Sequence, residues 1–491
     1  MLRHEAEFVR FSKWWLLVFA MHPVIAHASD AVDHSDPIAS VILGVTFIFF
    51  FAIIGRYIAR RFNQPGVMGE LLMGVLVGNL CYFLGSPLAV LLREGSSIFT
   101  IMKELLSGDS LSLAVTSAIP NPIYAEQIVQ ALSGPQGTEY LKIAYIVDIF
   151  SRYGVIFLLF MVGLESSVEE LKNTGRASVF VALIGVIAPM ILGFGVAYFL
   201  MPRESYHADL FIAATLSATS IGITARVLAE MNKLRTREAR TILGAAMLDD
   251  ILGLILLAVV SSVVTSGAVD FLMVVRIIIS SILFFAGALF LGPYILRKAI
   301  YFFRFLEPWE SKLFISFLFV MVLAWLASFV QLAAIIGAFA AGVILHDGYF
   351  KSKAEPYLTE ARSIRHLISP LESILAPMFF MVIGIQVKLE TFFNWNVLIL
   401  ASGLIVAAIL GKLVSGLGAN PKDDRLLIGI GMLPRGEVGL VFASIGRTLG
   451  VISDDLFSAI VLMVIITTFI APPLLKARYA SRNKRKLTHE Y

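Results

Sequence analysis

Thirteen apolar blocks recur between residues 38 and 477, and no other feature restricts the fold as tightly. They run over 38–55, 66–85, 142–163, 177–200, 208–230, 241–264, 271–296, 311–330, 332–346, 371–387, 395–417, 425–446 and 455–475. Roughly 20 apolar residues suffice to carry a helix across the hydrocarbon core of a bilayer. Backbone groups in that medium find no water, so a continuous apolar segment satisfies them by coiling into a helix. The blocks therefore predict an all-α polytopic membrane protein with thirteen transmembrane helices. A soluble chain of this length would carry about a quarter charged residues, against the 15% present here.

Charge placement orients the blocks. Arg3, Arg10 and Lys13 precede a short apolar run from Trp14 to Ala26, and Ala26-His27-Ala28 forms an A-x-A-like cleavage pattern. Residues 1–28 read as a cleaved signal peptide, the alternative being a retained segment; either way 29–37 lie outside the cytoplasm. Alternating sides from there puts clusters such as Arg60-Arg61, Lys233 to Arg240 and Arg297-Lys298 inside, with the basic tail 478–491. The outside receives only Arg93, Lys103, Lys142, Arg203, Lys388 and Arg447. That separation follows the positive-inside rule, and it places the C-terminus in the cytoplasm of a bacterial inner-membrane protein. The main domain is expected over 29–477, with one long external insertion at 86–141 whose apolar stretches, such as 97–106, suit interfacial helices. Cap, dimer contact and tolerated insertion are equally open uses for it.

Several classes are excluded or weakened. One cysteine, Cys81, permits neither an internal disulfide nor a cysteine-built metal site. No GxxxxGK[ST] segment is present, so ATP hydrolysis is not expected, and no TVGYG filter is present either. No metal, nucleophile or phosphate motif accompanies the acids of the apolar blocks, so no enzymatic activity, cofactor or nucleic-acid partner is expected.

Ionisable groups inside the blocks carry the chemistry, because charge at membrane depth is costly. Asp249-Asp250 sit deep in the sixth block. Two adjacent carboxylates out of water repel one another and favour taking up a proton. The same oxygens suit a bare alkali cation, which prefers hard ligands. The preceding block holds Thr215-Leu216-Ser217-Ala218-Thr219-Ser220-Ile221-Gly222, dense in hydroxyls and small residues. Close helix packing and a broken helix both explain such a stretch. Beside the aspartates a broken helix is expected. Gly431 to Gly439 contains Pro434-Arg435-Gly436-Glu437, where proline and glycines predict a second break. Arg435 and Glu437 can neutralise each other or the exposed helix ends. Lys412 lies inside another apolar block, either snorkelling to the inner surface or pairing with one aspartate. Blocks 66–264 and 332–475 form two five-span units, and each interrupted span is fourth in its unit. Five is odd, so the units are expected as inverted repeats with the broken helices crossing at a midplane site.

These residues, with Pro65-Gly66-Val67-Met68-Gly69-Glu70, Phe160 to Glu165, Gly337 to Gly342 and Ala376-Pro377-Met378-Phe379-Phe380, resemble the sodium/proton exchanger superfamily, in particular its bacterial monovalent cation/proton antiporter branch. The resemblance runs from about residue 38 to 476. It implies secondary antiport of protons against a monovalent cation by alternating access, serving pH homeostasis; if Lys412 faces Asp249, the charge count over Asp249, Asp250 and Lys412 makes the exchange electrogenic. Sodium is favoured, with lithium or potassium as alternatives. By that resemblance Asp250 is the main cation and proton ligand, Asp249 pairs with Lys412, and Thr219 and Ser220 line the crossing supported by Gly222, Pro434, Arg435 and Glu437. A homodimer with a scaffold and a mobile core is implied too. Non-transport classes weighed against it are a cation channel and a membrane sensor subunit.

Overall fold

The computed structural model describes residues 38–488 apart from 63, 96, 120, 166–174, 202–204, 232, 234–235, 267–270, 304, 331 and 351–362. The expected signal peptide, 1–28, lies outside the described residues. The chain divides into two units, Met1–Thr46 and Phe47–Tyr491; of the first, only the start of the first helix is described.

The described residues are helical throughout. In chain order the helices are α1 (Ala39–Arg61), α2 (Gly66–Phe83), α3 (Pro87–Arg93), α4 (Ser97–Leu106), α5 (Leu111–Ala118), α6 (Pro122–Ser133) and α7 (Gly137–Glu165). Then follow α8 (Arg176–Leu200), α9 (Tyr206–Ser217), α10 (Ile221–Glu230), α11 (Arg237–Ser266), α12 (Phe271–Phe302) and α13 (Pro308–Phe329). The remainder are α14 (Ala334–Ile344), α15 (Ile364–Ile385), α16 (Trp395–Ser415), α17 (Arg425–Gly431), α18 (Glu437–Thr448) and α19 (Asp454–Thr488).

Ten of these, among the described residues, are long and apolar enough to cross a membrane. The other three expected spans are built differently. Blocks 208–230 and 425–446 are interrupted, as α9/α10 and α17/α18. Block 332–346 holds only the 11-residue α14, about 16 Å long at 1.5 Å per residue and too short to cross by itself. α19 runs past residue 478 into the basic tail, as far as Thr488. Arg478 on it donates to Asp424 at 2.9 Å, and Tyr479 meets the Thr236 hydroxyl at 3.2 Å.

The insertion is four short helices, α3 to α6, with Asn121 capping α6 through its side chain. Elsewhere the helices sort into two groups by packing. α8, α9, α10, α11, α16, α17, α18 and α19 pack into one body, and α2, α7, α13, α14 and α15 into another. Two glycine pairs set the second group. A Cβ on Gly74 of α2 would strike the Met381 carbonyl of α15, and one on Gly384 would strike the Leu71 carbonyl. Gly163 of α7 and Gly342 of α14 stand in the same relation to the Phe339 and Phe160 carbonyls. Backbones this close gain dispersion contact in a medium where apolar area supplies no driving force.

Candidate functional site

Two chain breaks cross inside the α8–α11 and α16–α19 body. α9 stops at Ser217, and Ala218 turns extended at φ −61°, ψ 141°. Nothing in Ala218-Thr219-Ser220 forbids helix by propensity alone. Instead the Ser220 N–H donates to the Pro434 carbonyl at 2.8 Å, so the opposite break supplies the bond that helix would have given. Across the crossing, α17 ends at Gly431, and Pro434 can neither donate to a continuing helix nor leave its predecessor helical. The Thr224 hydroxyl donates to the Gly431 carbonyl at 2.7 Å. Thr468 of α19 donates its hydroxyl to the Arg435 carbonyl. Gly222 lies in the first turn of α10, and Glu437 opens α18.

Helix C-termini leave carbonyls without partners and concentrate negative partial charge. Two buried cations meet those of α9. Arg435 Nη1 donates to the Ala218 carbonyl at 2.9 Å and to the Thr215 carbonyl at 3.4 Å. Lys412 Nζ donates to the Ser217 carbonyl at 2.5 Å. Lys412 is 0% exposed, so it does not snorkel to a surface. Its other partner is Asp249 Oδ2, at 3.1 Å.

Asp249 and Asp250 enter from α11, 1% and 4% exposed. Asp249 Oδ1 is buried and makes no hydrogen bond. Thr219 and Ser220 are buried in the extended stretch between α9 and α10. The structure thus brings Lys412 and Asp249 into contact, places Ser220 and Pro434 in one hydrogen bond, and sets Arg435 on a helix end. Burying this many polar groups costs several kcal/mol per unpaired charge, which only paired or liganded groups recover. Thr224 and the carbonyls of Thr215 and Ser217 belong to the hydroxyl-rich stretch singled out in the sequence, and Thr468 takes part without having been expected. Thr467-Thr468 in an otherwise apolar block was the available sign.

Space at the crossing is tight: a Cβ on Gly436 would lie 2.9 Å from Ser220 Oγ. Gly436→Leu should therefore force the two strands apart, at about 1–3 kcal/mol of overpacking. The expected result is a folded protein with turnover reduced by about tenfold or more. A wild-type turnover number in reconstituted liposomes would show that the crossing tolerates separation.

The chain belongs to the sodium/hydrogen exchanger transmembrane family, which it matches over residues 47–477. It is 36% identical to the high-affinity Na(+)/H(+) antiporter NhaS3 of Synechocystis sp., across 94% of this chain and 95% of that one. It is 34% identical to the Na(+)/H(+)-K(+) antiporter GerN of Bacillus cereus, across 78% and 95%. The fold also resembles that of the sodium proton antiporter MjNhaP1 from Methanocaldococcus jannaschii, with a TM-score of 0.54 at 16% identity, covering 90% of this chain and 97% of that one.

Proposed function

We propose that this protein is a secondary antiporter, exchanging protons for a monovalent cation across a bacterial inner membrane by alternating access. The observation that carries this reading is a pair of adjacent buried carboxylates, Asp249 and Asp250, at a crossing of two broken helices with Lys412 already bound to one of them. Sodium is the favoured cation, consistent with the names of the relatives. Lithium and potassium remain alternatives, and GerN is named for potassium as well. The protein acts as a transporter and not as an enzyme.

Asp250 is the group that alternately holds a proton and the cation, with Asp249, Thr219 and Ser220 supplying further oxygens. Gly222, Pro434, Arg435 and Glu437 support the broken helices. In the proton-loaded state Asp250 is neutral, and Lys412 offsets Asp249. A cation that draws in both carboxylates takes Asp249 from Lys412. A buried ammonium that has lost its counter-charge gives up its proton readily. Two protons then leave for one cation, so the cycle moves one net charge.

The thirteen expected spans form two inverted five-helix repeats, α2 to α11 and α14 to α19, after α1 and joined by α12 and α13. The swapped glycine contacts support this. The first helix of one repeat meets the second helix of the other, and the second pair repeats the first. The insertion face is periplasmic by the positive-inside argument, and the chain works as a homodimer whose crossing-helix body moves against the other group.

The direct test is a pH-sensitive dye in everted vesicles. Sodium added after a proton gradient is established should dissipate it, and no dissipation with sodium, lithium or potassium would overturn the proposal. Protons and cation share ligands, so the apparent cation affinity should fall with pH, by up to about tenfold per unit for each competing proton. An affinity constant between pH 6 and 9, under saturating membrane insertion, would remove the shared-site mechanism.

A further inference from the structure

Away from the crossing, the face that carries the insertion holds a second buried ionic cluster. Arg93, at the end of α3, is 1% exposed and Lys388, just after α15, is 0%. Lys388 Nζ binds Glu94 Oε1 at 2.7 Å and Asp454 Oδ2 at 2.5 Å, and lies 3.4 Å from the centroid of the Tyr124 ring. Arg447, at the end of α18, donates to the Arg93 carbonyl and to Asp454 Oδ1, both at 2.7 Å, and to Gln386 Oε1 at 3.1 Å. Arg93 itself grips Glu390 at 2.6 Å and stacks 3.8 Å above Tyr82. The Tyr124 hydroxyl donates to Glu390 at 3.4 Å. The turn after Glu94 is tightened by Gly95 at φ +57°, where a Cβ would meet Gln386 Nε2 at 2.5 Å.

Three acids and three bases are neutralised here at close quarters. A buried network of this kind is weak evidence for stability, because desolvation offsets the attraction. Its best-attested use is to fix one register of two bodies. Here the bodies are identifiable. Arg93, Glu94 and Tyr124 belong to the insertion, which follows α2. Arg447 and Asp454 belong to α18 and α19, in the body that carries the crossing. Lys388 sits on the connection from α15 to α16, between the two groups. α18 begins one residue after Gly436, so a hold on Arg447 is a hold on the far end of the second half-helix.

The geometry points to Glu94, Lys388 and Arg447 as positioning residues for exchange: the insertion latches the outer end of α18, and the latch must open for the crossing body to move. The inference rests on the antiport reading, and it gives the insertion a task in the transport cycle. None of the three touches Asp249, Asp250 or Lys412 in the structure; they act through α18 and α19.

The test places spin labels on cysteines at Ser107, exposed after α4, and Thr448, exposed at the end of α18, in a Cys81→Ser background. Labelled protein is diluted into unlabelled protein in liposomes, and label separation is read by double electron–electron resonance. With the network intact, sodium at high pH and protons at low pH should populate two distances in different ratios. Glu94→Gln should shift the ratio toward the longer distance by about fivefold or more, the lower end of typical coupling effects. Glu94→Asp should return it most of the way. One unchanged distance in all states of the intact network, in a preparation that exchanges cation for protons, would overturn the latch. So would a Glu94→Gln distribution identical to wild type. If Glu94→Gln does not fold, the intact-network measurement alone decides. Failure of the antiport reading looks different, because the labelled parent would then show no exchange.

Discussion

Asp250→Asn leaves a folded, inserted protein that no longer exchanges cation for protons. The carboxamide keeps the shape of the side chain, which is 4% exposed on α11, but it neither takes up a proton nor carries the charge that holds an alkali ion. Removing a proton-transfer group typically costs about 10²–10⁴ in rate. Here the same group is also the cation's principal anion, so flux should fall at least to the lower of those limits. Stability should hold or rise, since a buried charge is replaced by a neutral amide. The measurements are sodium-driven proton flux in liposomes and thermal unfolding in detergent. Exchange near the wild-type rate would take Asp250 out of the role. A lost flux with a collapsed unfolding temperature would make the effect structural.

Replacing both members of the Lys412–Asp249 pair should convert a voltage-driven exchanger into an electroneutral one. Lys412→Met alone is an ambiguous experiment. It strands Asp249 in a fully buried position, where breaking one half of an ion pair costs about 3–5 kcal/mol, and the orphaned carboxylate would take up the missing proton. Asp249→Asn with Lys412→Met removes both charges together and leaves the Ser217 carbonyl as the main loss, since Lys412 Nζ donates to it at 2.5 Å. Only Asp250 then titrates, and one proton leaves for one cation. With the potential set by valinomycin and a potassium gradient, sodium-driven flux in wild type should follow voltage and flux in the double variant should not. An electroneutral wild type, or undiminished voltage dependence in the double variant, would show that the second proton does not come from Lys412.

The membrane-spanning pattern was readable in the sequence because each helix is a local event, set by its own run of apolar residues. The breaks were readable for the same reason, Pro434 by its missing donor and Ala218-Thr219-Ser220 by its hydroxyls beside Asp249-Asp250. The choice between partners for Arg435 was left open by the sequence, and the geometry aims it at the Ala218 carbonyl. α14 occupies only 11 residues of its apolar block, since such a block says how much residue is buried and not how far it rises. The ionic cluster on the insertion face was missed altogether. Its partners lie far apart in the chain, as Lys388 and Glu94 do, and no periodicity joins them. One sign was present: Arg93, Lys388 and Arg447 are half of the few basic residues on the side where basic residues are scarce.

The exchanged glycine contacts also bear on how the chain is made. Gly74 of α2 finds its neighbour on Gly384 of α15, roughly 300 residues later, or about 15–60 s at ordinary rates of synthesis. During that interval the Gly74 side of α2 lacks its final neighbour. The helix also carries Glu70, wholly buried in the finished protein. Its companion from the outset is α1, made just before it, whose Arg56 is paired with Glu70. Gly55 of α1 and Gly69 of α2 are packed backbone to backbone beside that pair. The first hairpin can therefore shield the acid of a half-built transporter until the second repeat emerges to claim the other side of the helix.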